Sequence, residues 1–133
     1  LNINYINPDN MVKPRGYSHA IAVSGNRKTI YIGGQNAVDG NGIFIGNGDL
    51  KKQTEQILSN IEKILQCENA KPDSIVKLNI HILQGQNPLD GFQAFQEKWG
   101  NKIFPAITVV FVAGLGRPEW LAEIDAIAEI PNN

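Results

Sequence analysis

The chain has 133 residues, 42% of them apolar and 19% charged, with a formal net charge of −1. That length suits a single domain over residues 1–133, able to bury about two-thirds of its unfolded surface without a covalent staple, and the composition excludes a disordered chain. The 12 Lys and Arg residues are dispersed, the tightest group being Arg27-Lys28, so neither nucleic acid nor an anionic membrane is an expected partner.

The single cysteine, Cys67, rules out an internal disulfide and favours a reducing compartment. It reads as a small packing residue near a helix end rather than as a nucleophile. No run approaches the ~20 apolar residues of a membrane span, and the first residues carry no signal-peptide pattern. A cytoplasmic protein is expected, with a few residues missing upstream because the sequence begins at Leu1 rather than Met.

In chain order, residues 2–6 form a short strand before the turn signal Asn7-Pro8-Asp9-Asn10. Ala20–Ser24 and Thr29–Gly33 read as a hairpin, with Gly25-Asn26 supplying the turn. Residues 39–48 are a glycine-rich loop around Ile43–Ile45. From Asp49, a plausible N-cap, the period changes to that of an amphipathic helix. Leu50, Thr54, Ile57, Leu58, Ile61, Ile64 and Leu65 share its buried face, and the helix stops before Pro72.

Residues 74–83 are the cleanest strand, with Val76, Leu78, Ile80 and Ile82 alternating against Lys77, Asn79 and His81. After a turn over 85–91, residues 92–99 form a second helix with Phe92, Phe95 and Trp99 on one side. Strands over 104–113 and 121–130 follow. The order β-β-β-α-β-α-β-β has too few helices to cover two sheet faces, which predicts an α+β layer with both helices on one face.

The strand over 104–113 is largely apolar on both faces: Phe104, Ala106, Thr108, Val110 and Val112 on one, Ile107, Val109, Phe111 and Ala113 on the other. A strand of that kind is buried on both sides, and the helices cover only one. A second copy of the chain is the economical cover for the other, so a homo-oligomer is expected.

Glu123 and Asp125 share a face of the last strand, about 7 Å apart. Paired carboxylates can do acid–base work, or the pair can be a solvated face balanced by Lys77. His19 and His81 lie in different strands, and no Cys, Asp or Glu stands near either at ligand spacing, so no metal is expected. There is no nucleophile elbow, and the glycines at 33–34 and 40–48 read as turns rather than a phosphate loop. Tyr17 offers either a phenol to a ligand or a ring to the core. The residues by themselves lead to an oligomeric α+β domain with an intersubunit cleft.

Six motifs in order extend this reading: "GYSHA" at 16–20, "GGQNAVD" at 33–39, "QTEQILSNIEKIL" at 53–65, "DSIVK" at 73–77, "FPA" at 104–106 and "EIDAIA" at 123–128. Together they resemble the Rid family, also called YjgF/YER057c/UK114 or L-PSP. The resemblance implies a chorismate-mutase-like fold, a homotrimer with its sheets inside and its helices outside, and three intersubunit clefts without a cofactor. It also implies hydrolysis of enamines and imines such as 2-aminoacrylate, with release of ammonia and a keto acid.

Carried over by position, Glu123 matches the family's water-positioning glutamate, and Tyr17 and Gly34 line the cleft. Two cleft positions depart from the family. Ile107 stands where deaminating members keep an arginine that grips the substrate carboxylate, and Phe92 stands where an asparagine is expected. Loss of such a charge-assisted contact costs roughly 2–5 kcal/mol. The chain thus resembles an arginine-lacking subgroup whose cleft is more apolar, with Arg15 or Arg117 as candidates for a displaced guanidinium. The implied functions are a Rid-type hydrolase, a non-catalytic small-molecule binding or regulatory trimer, and, with least support, a ribonuclease or translation inhibitor.

Overall fold

The computed structural model describes residues 1–100 and 103–133. It contains β1 (Asn2–Ile6), β2 (Ala20–Ser24), β3 (Arg27–Gln35), α1 (Leu50–Gln66), β4 (Ile75–Leu83), α2 (Pro88–Trp99), β5 (Ala106–Val112) and β6 (Ala122–Pro131), with a 3-10 turn at Pro72–Ser74. The order and the α+β layering are those expected from the sequence, with the helices on one side of a four-stranded sheet. Among the described residues no helix is long and apolar enough to cross a membrane.

The sheet runs β3-β6-β4-β5, antiparallel except for the parallel pair β4/β5, which α2 connects as the crossover that parallel strands require. The expected hairpin between Ala20–Ser24 and the next strand does not form. β2 pairs instead with β1 in a separate two-stranded sheet, although only Gly25 and Asn26 separate it from β3. The cause lies just before β2. Ser18 donates its backbone N–H to the Pro105 carbonyl (3.0 Å) and its hydroxyl to the Phe104 carbonyl (2.6 Å), anchoring the arm at the start of β5, the opposite sheet edge from β3.

Two smaller differences also have local causes. α2 begins at Pro88, four residues before the expected start, because Asn87 caps it through the Leu89 N–H and proline is favoured in a first helical turn. In β4 a bulge at Val76 interrupts the ladder to β6, so Ile75 rather than Val76 is buried. Cys67 is the C-cap of α1, as its position predicts, but it is exposed rather than packed.

α1 is the keystone of the core. Asp49 caps it by accepting the Lys52 N–H, and Ile57, Leu58, Ile61 and Leu65 are fully buried against the sheet. Each such side chain contributes about 1.5–3 kcal/mol. The same face buries a polar residue, Gln53. Its Nε2 donates to the Gly46 (3.0 Å) and Glu119 (3.1 Å) carbonyls, and its Oε1 accepts the Leu121 N–H at 2.8 Å. One amide therefore ties α1 to the loop before it and to the entry of β6.

The two-faced apolar strand is the edge strand β5. Val109 and Phe111 on the helix side are 48% and 52% exposed, and Val110 on the other side is 41% exposed.

Gln53→Leu keeps the volume and removes all three bonds. It is expected to lower the unfolding free energy by about 2–4 kcal/mol at fixed protein concentration, while Glu55→Gln on the exposed face changes it by less than about 0.5 kcal/mol. Denaturant titration of the three proteins checks this, and equal midpoints would contradict the clasp.

Candidate functional site

α2 packs on α1 rather than on the sheet, and its polar contacts explain why. Trp99 donates its indole N–H to Glu62, Lys51 pairs with Glu97 at 3.0 Å, and Lys98 lies 3.8 Å from Glu62. Gly91 helps: a Cβ there would come within 3.3 Å of the Thr54 hydroxyl oxygen, so glycine lets the two helices approach.

With α2 held by α1, a cavity of about 420 Å³ remains between α2 and the sheet. Its floor is Ile80 and Ile82 of β4, Ile107 and Val109 of β5, and Ala122 and Ile124 of β6. Leu89, Phe92 and Phe95 of α2 form the roof. The size and apolar character are those of a small-molecule site.

Polar groups are few. Arg15, Tyr17, Thr54 and Gln96 reach the lining, and the Thr54 hydroxyl already donates to the Leu50 carbonyl at 2.7 Å. No Asp or Glu lines the cavity among the described residues. Arg15 is exposed and, among the described residues, no carboxylate lies within ion-pair distance of it. Of the two candidates for a displaced guanidinium, Arg15 lines this cavity, whereas Arg117 stacks over the Trp120 ring at 5.6 Å.

The candidate residues thus fall into two groups. Tyr17, Phe92 and Ile107 meet at the cavity. Glu123 does not join them: its β6 neighbours Ala122 and Ile124 line the cavity, so alternation sends Glu123 through the opposite face. Gly34 is with Glu123. Gly33 and Gly34 form a bulge in β3 opposite Asp125, and a Cβ on Gly34 would fall 2.8 Å from the Glu123 carboxyl carbon. The glycine is what lets that carboxylate lie against the β3 backbone.

Three carboxylates share this second face, and two are satisfied. Asp125 accepts the Asn79 amide at 2.7 Å. Glu129 accepts the Thr29 hydroxyl at 2.8 Å and lies 3.4 Å from Arg27. The Glu123 carboxylate is half-buried and has neither a hydrogen bond nor an ion pair among the described residues. Lys77, the counter-charge anticipated for the acidic pair, donates instead to the Thr108 hydroxyl at 2.8 Å. His81 Nδ1 lies 3.3 Å from the Glu123 main-chain carbonyl, and His19 lies 2.7 Å from the Val12 carbonyl. Among the described residues no cluster could hold a metal ion.

The sequence reading missed Leu89, Ile80, Ile82 and Ile124 as lining residues. Their signal was present, since β4 alternates cleanly, but a strand's apolar face looks the same whether a helix or a cavity covers it.

Comparison with known proteins agrees with this architecture. The family model described as Endoribonuclease L-PSP matches residues 9–130. A RutC family protein of Pyrococcus horikoshii is 33% identical over 121 residues, covering 90% of this chain and 92% of the relative. A protein of Dermatophagoides farinae named 2-iminobutanoate/2-iminopropanoate deaminase is 28% identical over 114 residues, 86% of this chain and 85% of its own. Among crystal structures, the Rid family protein YyfB of Yersinia pestis, itself of unknown function, superposes with a TM-score of 0.84 at 32% identity, over 98% of this chain and 100% of that one. Motifs, fold and relatives converge, and the chain belongs to the Rid family of L-PSP-type proteins.

Proposed function

We propose that this protein is a Rid-type hydrolase of enamines or imines, acting as a homotrimer at clefts between subunits. The observation that carries the proposal is the Glu123 carboxylate, left without an internal partner while its two neighbours on the same face are satisfied. A half-buried acid in that state is available to hold a water and take its proton. Water then adds to the C=N carbon, the proton passes to nitrogen, and collapse of the carbinolamine releases ammonia and leaves a carbonyl compound. The Tyr17 phenol orients the substrate, and Gly34 keeps room beside the acid.

Two observations support the assembly. β5 carries exposed apolar side chains on both faces, and a neighbouring copy is the cover of matching chemistry. The sheet also separates Glu123 from the Tyr17–Phe92–Ile107 cavity within one chain, so a single ligand meets both groups only across a boundary between copies.

A second reading, a trimer that binds a small molecule without turnover, is favoured by Ile107, which cannot donate to a substrate carboxylate. The ribonuclease reading suggested by the name of the family model finds no support in a net charge of −1 with dispersed basic residues.

The hydrolase reading predicts ammonia release above buffer from 2-imino acids generated in situ by an amino acid oxidase, with Glu123→Gln reducing the rate about a hundredfold or more. An unchanged rate in Glu123→Gln contradicts the role of that acid, and no wild-type rate on any imino acid leaves the binding reading. For assembly, sedimentation at micromolar concentration is expected to give three times the protomer mass, and Phe111→Glu to lower it. A stable lone protomer would overturn the cleft.

A further inference from the structure

The cavity between α2 and the sheet has a direction. Its Arg15–Tyr17 end lies at the start of β5, because Ser18 bridges Ala106 and Ile107 follows. Its far end is Ile82 and Ala122, which are paired across β4 and β6. Ile107 stands level with Leu78 in the ladder, and Ile82 lies four residues further along β4, so the floor extends roughly 13 Å along the strands. Between these ends the floor is Val109, Ile80 and Ile124, under Phe92 and Phe95. Arg15 and Tyr17 line one end, while the walls beyond are almost wholly hydrocarbon.

We infer that this cavity takes a 2-oxo or 2-imino acid with a long or aromatic hydrocarbon tail, its carboxylate at Arg15 and its tail running under α2 toward Ile82. The inference deepens the hydrolase reading by naming a substrate class and rests on that reading for turnover, though not for binding. A cationic ligand is disfavoured because no carboxylate lines the cavity among the described residues. A small acid such as pyruvate would leave most of the floor unfilled and would depend on one exposed guanidinium, a contact that water screens. With Ile107 beside the anionic end, the affinity that an arginine there would give to the head must come from the tail.

Isothermal titration of the wild-type protein with pyruvate, 2-oxobutanoate, 4-methyl-2-oxopentanoate, 3-phenylpyruvate and 2-oxooctanoate tests this. These ketones are stable stand-ins for the corresponding imines. Affinity is expected to rise roughly three- to fourfold per added methylene, reaching about two-hundred- to thousandfold between pyruvate and 2-oxooctanoate. Val109→Trp, placed on the half-exposed floor, is expected to bring 2-oxooctanoate down to the level of pyruvate. Arg15→Gln, on an exposed loop, is expected to weaken 2-oxooctanoate about two- to fivefold and leave 2-octanone unchanged. Equal affinities across the acids would overturn the inference, as would 2-oxooctanoate binding that ignores both substitutions. Graded binding without ammonia from any imine would leave the inference standing and remove the hydrolase reading. Ammonia released equally fast from short and long imines would do the reverse.

Discussion

The position of α2 governs the rest of this molecule. A crossover helix between two parallel strands ordinarily lies down on their sheet, because that buries the most hydrocarbon. Here the ties of α2 run sideways to α1, through Trp99 to Glu62, Glu97 to Lys51, and the close approach at Gly91. α1 takes up the sheet with Ile57, Leu58, Ile61 and Leu65, and α2 becomes a roof over the remaining apolar floor. The cavity is thus a consequence of how two helices share one sheet face.

The sheet itself then divides the chemistry. On the helix side the exposed and lining groups are aliphatic and aromatic, with a cation at one end. On the other side stand three carboxylates, of which one lacks a partner among the described residues, beside a glycine bulge that lets it lie against the β3 backbone. The proposed function needs both faces at one ligand, and β5, apolar and exposed on both sides at the sheet edge, is where copies of the chain would bring them together.

How much of this could be read from residue order varies with the range of the forces involved. The period of Leu50–Leu65 and the alternation in β4 and β6 report local geometry, and α1 and those two strands followed from them. The hairpin expected at Gly25-Asn26 failed because Ser18 is held by carbonyls of residues 104 and 105, a contact spanning most of the chain that no local pattern encodes. Val76 and Ile75 exchanged roles through one bulge, which a strict two-residue period cannot represent. Gln53 was recognisable as part of a family motif, but its clasp on Glu119 and Leu121 is again a long-range contact. For the candidate site, the identities of Tyr17, Gly34, Phe92, Ile107 and Glu123 were legible, whereas their division between two sheet faces depended on knowing which side of the sheet the helices occupy.

The central claim is that the hydrocarbon under α2, rather than a cationic clamp deep in the cleft, determines what this protein holds. A crystal structure of the protein soaked with 2-oxooctanoate tests it most directly. The account predicts continuous ligand density between α2 and the sheet, with the carboxylate toward Arg15 and the tail over Val109 and Ile80. Density on the Glu123 face with the tail in solvent, or a cavity holding only ordered water at saturating ligand, would contradict it.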